Sequence, residues 1–376
     1  MDGGSVAAAD AAFGGDVYRL LAGGGNLVFS PASIAAALRM ALCGARGQTA
    51  AEIASALHLE GEPPAEGLRL LSAALAGVPG DSLTFRAPNT MWVQSGLPLR
   101  PEFTAALREA AAVSVRDADF GRAADQVRLE INELVAKQTE EKITNLLPPG
   151  TLDTLTRLVL VNAIYLKAAW AHPFPEDATS DGPFYPAGPG AGTPVTARMM
   201  QLTEDLGYLR ADGWQAVVLP YQGGRLAMTI VLPDGPPGAL TAGLAAGLPG
   251  IARRASRRRV RLTLPRFRQE SEVGLIPALQ RLGVQEAFAP QRADFTGITT
   301  ADRLHISAVR HKAYINVDEQ GTEAAAATAV VMRALAMVRP AQPVTVTVDH
   351  PFLFAITDTA TGLPLFLGQV TLPRAG

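Results

Sequence analysis

The chain reads as a mixed α+β protein, and three observations predict it. Helical patterns fill the first third, strand patterns dominate beyond Pro194, and the two do not alternate, which argues for segregated helices and sheets over βαβ units. Hydrophobic residues make up 48% of the chain and charged residues 18%, enough apolar surface for a sizeable core and too much for a disordered chain. No apolar run approaches the roughly eighteen residues of a membrane span. A length of 376 residues suits two domains or one large one. No internal repeat is present, and the Gly/Pro-rich stretches Gly182 to Thr193 and Pro233 to Gly238 are too short to be domain linkers, so one domain over 1–376 is expected.

Taken in order, Met1 to Gly15 is rich in Ala and Gly but lacks the basic start and long apolar core of a signal peptide. A cytoplasmic protein is expected if the chain is complete, and a secreted one if a processed segment is missing. Ser30-Pro31-Ala32-Ser33 opens a helix that ends near Gly44, with Pro31 tolerated in the first turn. Helical patterns continue over Gln48 to Leu57, Glu66 to Ala76, Phe103 to Ala112 and Ala123 to Thr139. Strands begin at Leu83, with Met91-Trp92-Val93 and Arg157 to Tyr165. Later strands cover Ala216 to Pro220, Leu226 to Leu232, Val260 to Leu264, His311 to Val317, Val344 to Val348, Phe352 to Thr357 and Leu365 to Val370.

Little here supports an enzyme. The chain has no nucleophile elbow and no phosphate-binding glycine loop. Its five histidines are scattered without metal-site spacing, and one cysteine excludes both an intramolecular disulfide and a multi-thiolate metal site, so no cofactor is expected. Cys43 lies in the apolar helical run Ala37 to Gly44 and reads as a buried structural thiol, consistent with a reducing compartment. Ser30 and Ser33 read as helix-capping and buried hydrogen-bonding groups, not nucleophiles.

A net charge of −2 argues against a general nucleic-acid binder. One basic run stands out: Arg253, Arg254, Arg257, Arg258, Arg259, Arg261, Arg266 and Arg268. If its first part is helical, Arg254, Arg257, Arg258 and Arg261 share a face. That face is a solvated surface or, alternatively, a polyanion patch. The aromatic interleaving of a single-strand binder is absent.

The segment Asp318 to Met337 is two structures in one stretch. Four consecutive alanines, Ala324 to Ala327, favour a helix. Read with period two, Thr322, Ala324, Ala326, Thr328, Val330 and Met332 share an uncharged face, while Glu323 and Arg333 fall on the other, the pattern of a strand able to enter a sheet. Local sequence leaves both readings open.

The frame around it decides between them. Glu319-Gln320-Gly321-Thr322-Glu323-Ala324-Ala325-Ala326-Ala327 resembles the hinge of the serpins, the serine protease inhibitor family. Other segments resemble other parts of the family, in order: Asn26 to Ile34 its N-terminal signature, Leu160 to Lys167 with Trp170 and Phe174 its central sheet strand, then Leu264 to Phe267, Asp294 to Ile298 and His311-Lys312-Ala313, and finally Asp349 to Phe354 and Pro364 to Val370 its C-terminal strands. Two departures are Leu134, where the family usually has Trp, and Glu141, where Gly is common.

The resemblance is to a minimal, prokaryote-like serpin, and its implications are expectations. The fold would be three β-sheets surrounded by helices, with an exposed reactive loop. The activity would be suicide-substrate trapping of a serine protease of chymotrypsin-like or elastase-like specificity. In that scheme a covalent acyl-enzyme forms, and the cleaved loop inserts as a strand into the central sheet. Ser30, Ser33, Asn162 and His311 would form a polar cluster where the sheet opens, and Trp170 a lid where insertion begins. Counting seventeen residues from Glu319 places the reactive bond at Leu335-Ala336, with Arg333-Ala334 as the rival. The protein would be a monomer with no membrane partner, nucleic acid and glycosaminoglycan not being expected. A non-inhibitory carrier or chaperone of the same fold is the alternative, as is a polyanion-binding protein.

Overall fold

Two hydrogen-bonded sheets carry the fold in the computed structural model, which describes residues 3–59, 61, 63–76, 83–108, 113–236, 241–322 and 342–374. The helices are α1 Gly3–Leu21, α2 Pro31–Gly44, α3 Gly47–Ala56, α4 Pro64–Ala76, α5 Pro101–Arg108, α6 Phe120–Gln138, α7 Ala242–Arg254 and α8 Ile276–Arg281. The strands are β1 Leu27–Phe29, β2 Leu83–Arg86, β3 Asn89–Gln94, β4 Val113–Ala118, β5 Leu158–Ala169, β6 Ser180–Phe184, β7 Val195–Ala211 and β8 Trp214–Pro220. They continue as β9 Leu226–Pro233, β10 Ser256–Pro265, β11 Phe267–Gly274, β12 Ile306–Val317, β13 Gly321–Thr322, β14 Val344–Thr347, β15 Phe352–Asp358 and β16 Pro364–Val370.

A seven-stranded sheet runs β11-β12-β13-β5-β3-β4, with β2 also on β5. A nine-stranded sheet runs β1-β16-β15-β9-β8-β7-β10-β14, with β6 also on β7. The second sheet is two sheets run together. The 17-residue β7 pairs β6 at Val195–Met199 and β8 at Gly207–Ala211, while β10 spans the join. The three sheets of the expectation are thus one whole sheet and two halves of another.

Alternation along β5 sorts the core into two layers. Leu158, Leu160, Ile164, Leu166 and Ala168 face the main core, into which α2 is buried along nearly its whole length. Val159, Val161, Ala163 and Tyr165 face outward, under Ile131 and Val135 of α6. This strand therefore has no solvent side, which is why it reads as a near-continuous apolar run.

Local sequence explains α2 well. Ser30 accepts a hydrogen bond from the Ser33 backbone N–H at 3.1 Å, and Pro31 fills the first turn. The helix stops at Gly44 against Ile298, which a Cβ there would meet at 2.1 Å. The Ala/Gly-rich start, by contrast, folds as α1, its Phe13 and Val17 fully buried. Gly182 lies in β6 opposite Ala197, so the Gly/Pro stretch is partly strand. Cys43 is half-buried, not buried, and burial lifts its thiol pKa to about 11.

The arginine run corrects the helical expectation. Only Arg253 and Arg254 end a helix; Ser256 onward is strand β10, paired to β7 and β14. Arg254, Arg257, Arg258 and Arg261 therefore do not share a helical face. Period two puts Arg257, Arg259 and Arg261 together, with Val260 and Leu262 buried on the reverse.

Both departures from the family pattern lie in α6 and the turn after it. Leu134 lines a cleft of about 460 Å³ beside Trp92, where a larger ring would fill space. Glu141 has φ +61° in a left-handed turn that also holds Glu140 (+51°) and Asn145 (+52°). A side chain in that conformation costs of order 1 kcal/mol, which glycine avoids in part, its looser unfolded chain offsetting some of the gain. Glu141→Gly should raise stability by about 0.5–1 kcal/mol. A denaturation midpoint unchanged or lowered would show that the turn is unstrained.

Candidate functional site

The seven-stranded sheet parts at one end, where Trp170, Glu319, Gly321 and Thr322 lie. Strands β5 and β12 are parallel and pair directly from Ile306 on Leu158 to Tyr314 on Tyr165. Beyond Tyr314 they separate, and β13 sits between them. Thr322 lies opposite both Val317 and Ala168, and Gly321 opposite Ala169. Only glycine fits this wedge. Gly321 has φ +156°, and a Cβ would lie 2.0 Å from the Ala168 carbonyl oxygen.

A small network fixes the turn before it. The Asp318 carboxylate accepts from the backbone N–H groups of Gln320 (2.9 Å) and Gly321 (3.2 Å), and burial raises its pKa. Glu319 is buried, and its Oε1 accepts from Arg266 Nε (2.7 Å) and the Thr179 hydroxyl (2.5 Å). Burial pushes the Glu319 pKa up, but these bonds together outweigh it and hold the carboxyl below its ordinary value. Arg266 and Thr179 went unrecognised as partners in the sequence, since they lie 53 and 140 residues from Glu319.

Trp170 closes the parted end. Its indole stacks on Tyr221 at 4.5 Å, meets Phe174 edge-on at 6.5 Å, and donates to the Asp318 carbonyl at 3.0 Å. Its backbone N–H donates to the Gln320 carbonyl at 2.9 Å. The Tyr221 and Thr322 hydroxyls share a 2.6 Å hydrogen bond, so Thr322 points inward and is fully buried. Tyr221 was not anticipated; a lone aromatic in a loop carries no sequence signal.

Further along the sheet, Ser30, Ser33, Asn162 and His311 meet, joined by Asn89, which sequence reasoning missed. The Ser33 hydroxyl donates to Asn89 Oδ1 at 2.6 Å. The Asn162 amide donates to Asn89 Oδ1 and the Ser33 carbonyl, both at 3.4 Å. His311 Nε2 accepts from the Ser30 backbone N–H at 3.0 Å. Asn162 lies opposite both Asn89 and His311 in the sheet. Three buried polar atoms here, Asn89 Nδ2, Asn162 Oδ1 and His311 Nδ1, have no partner among the described residues.

Of the other predicted residues, Glu323 to Ala327 and the Leu335-Ala336 bond lie outside the described residues. Among the described residues no group of His, Cys, Asp and Glu could hold a metal ion, and no helix is long and apolar enough to cross a membrane.

The family model described as serpin (serine protease inhibitor) matches residues 8–373. An uncharacterized serpin-like protein of Thermococcus kodakarensis is 39% identical over 367 residues, 96% of this chain and 84% of that protein. The leukocyte elastase inhibitor of Bos taurus is 36% identical over 365 residues, 93% of each chain. Among solved structures, Serpin48 from the insect Tenebrio molitor aligns with a TM-score of 0.81 at 31% identity, covering 99% of this chain and 98% of that one.

Burial drives the His311 pKa from the ordinary 6.5 to about 3. Nε2 accepts a bond from Ser30, so the neutral ring is the one that fits. Above pH 6.5 the ring is neutral folded or unfolded and adds no pH dependence. As pH falls from 6.5 towards 3, the unfolded chain takes up a proton that the folded chain refuses. Stability should fall by up to about 1.4 kcal/mol per pH unit from this group. Chemical denaturation of the wild type and His311→Asn across that window checks it; equal slopes would remove His311 as the cause.

Proposed function

We propose, on the premise that this chain belongs to the serpin family of serine protease inhibitors, that it traps proteases of chymotrypsin-like or elastase-like specificity as a suicide substrate. A protease attacks the 323–341 segment, forms an acyl-enzyme at Leu335, and releases Ala336. The freed strand then enters the sheet between β5 and β12 and carries the enzyme along, so that deacylation fails. About fourteen residues at roughly 3.3 Å each correspond to some 45 Å of travel. Leukocyte elastase inhibitor at 36% identity supports an apolar specificity pocket, and Leu335 suits one. No cofactor takes part, and the inhibitor acts as a single domain and a monomer.

The observation that carries this reading is the two-residue strand Gly321–Thr322, already paired to both neighbours above a ladder that is still closed. Extending its antiparallel register brings Ala324 opposite Ile315 and Leu166, and Ala326 opposite Ala313 and Ile164. Thr328 then falls opposite His311 and Asn162, whose buried unpartnered atoms its hydroxyl would serve. The intervening Ala325 and Ala327 would pass on the α6 side, opposite Tyr314 and Lys312. Both faces of this strand position are packed, one by the main core and one by α6. Alanine and threonine are small enough for both, which accounts for the four alanines better than helix propensity does.

The test is to mix the protein with chymotrypsin and with pancreatic elastase and look for a denaturant-resistant covalent complex. A C-terminal fragment starting at Ala336 is the expected product. One starting at Ala334 moves the bond to Arg333-Ala334, and cleavage without complex favours the non-inhibitory carrier. Ala324→Arg should slow insertion, because an unpaired charge at the first inward position to enter, opposite Ile315 and Leu166, costs several kcal/mol. The variant should be cut as an ordinary substrate; undiminished stoichiometric trapping would mean that insertion does not follow this register.

A further inference from the structure

The arginines of β10 form a concentration of charge to which protease trapping gives no task. Same-face residues of a strand repeat about every 6.6 Å, so Arg257, Arg259 and Arg261 form a stripe about 13 Å long. Arg259 is engaged by Glu204 (3.2 Å) and Asp205 (3.9 Å) on β7. Arg257 and Arg261 are exposed and have no ion-pair partner among the described residues, and the same holds for Arg254 and Arg258 beside them.

Position makes the charge informative. Strand β14 lies parallel to β10, with Val344 on Val260 and Thr345 on Arg261. The chain therefore returns to the fold at Gln342 and Pro343, beside Arg258 and Arg259, immediately after the 323–341 segment. Leu335 precedes Pro343 by eight residues, which reach at most about 28 Å when fully extended. A protease of about 230 residues has a radius of gyration of about 17 Å. An enzyme seated on that bond is tethered within reach of the stripe.

We infer that the face bearing Arg257 and Arg261 is a docking surface for an acidic patch on the attacking protease, an inference that rests on the reading of 323–341 as the reactive loop. Fixed charge beside a reaction site raises the encounter rate of oppositely charged partners, and salt weakens the effect. The stripe fits a compact acidic patch better than a long polyanion. It is short, and the carboxylates of Glu204 and Asp205 on the adjacent strand would repel a chain laid across it.

The test uses chymotrypsin and chymotrypsin whose surface lysines have been succinylated, which makes its surface acidic. The rate constant for loss of intact inhibitor measures encounter whether the chain traps the enzyme or is merely cut. The covalent complex is scored separately, so failure of the inhibitory reading is seen apart from failure of this one. The wild type should react faster with the succinylated enzyme at low ionic strength, and salt should erase the preference. The double variant R257E/R261E should lose about tenfold in that rate while its rate with unmodified chymotrypsin stays level or rises. Equal rates for variant and wild type with the succinylated enzyme would overturn the proposal. So would a variant that loses only retention on heparin, which would make the stripe a polyanion site.

Discussion

The parted end of the seven-stranded sheet depends on one ladder, the direct parallel pairing of β5 with β12. Parallel pairs are slightly weaker per residue than antiparallel ones. This ladder has eight register pairs and ends at Tyr165 and Tyr314, where Gly321 and Thr322 hold the strands apart. A strand driven further down that gap would exchange one parallel ladder for two antiparallel ones. The proposed function draws on that difference, with the sheet gaining a strand. Three contacts at the parted end brace the starting geometry: Trp170 on the Asp318 carbonyl, Arg266 on Glu319, and Tyr221 on Thr322.

The polar cluster beneath the closed ladder belongs to the same argument. Three unpartnered atoms among buried groups are costly, at about 1–3 kcal/mol each where no water reaches them. They lie at the rung where Asn162 faces His311, which the register of Gly321–Thr322 extends to Thr328. In the proposed insertion a hydroxyl arrives where hydrogen bonding is incomplete. The closed state is then penalised locally without loosening the apolar core on either side.

Much of this was legible in the sequence, and all but one of the misses share a cause. Helix α2 was readable from Ser30, Pro31 and apolar spacing because capping and periodicity are local. Ser30, Ser33, Asn162 and His311 were named together only through family resemblance; their spacing along the chain says nothing of contact. Asn89 was missed because one asparagine in a short strand becomes a cluster member only once β3 is registered against β5. Glu319 was identified but its partner Arg266 was not, since the pair is made by two strands returning to one end of the fold. The arginine run misled for a local reason. Arg253 and Arg254 do end a helix, and the switch to period two begins only at Ser256, beyond which buried Val260, Leu262 and Leu264 alternate with Arg259, Arg261 and Thr263.

Helix α6 adds the remaining constraint, because it lies across the outer face of the rungs that an entering strand would use. The turn after it is clamped to β12 itself: Lys312 donates to the Thr144 carbonyl at 2.8 Å and pairs with Glu270 at 2.7 Å. Tyr314, two residues on, sits under Lys142 and Arg268, whose charges lie 6.0 and 5.3 Å from its ring. β12 is therefore both the rail along which a new strand would pair and the anchor of the cover above it. A strand with large outward side chains would have to lift α6 from Tyr165 and Tyr314 and break the Lys312 clamp together. In the proposed register, alanine at positions 325, 327 and 329 would reduce that displacement, while Glu323 would fall opposite Lys167 of β5. On the proposed function, the small side chains of the entering strand would answer to α6 on one face and to the core on the other.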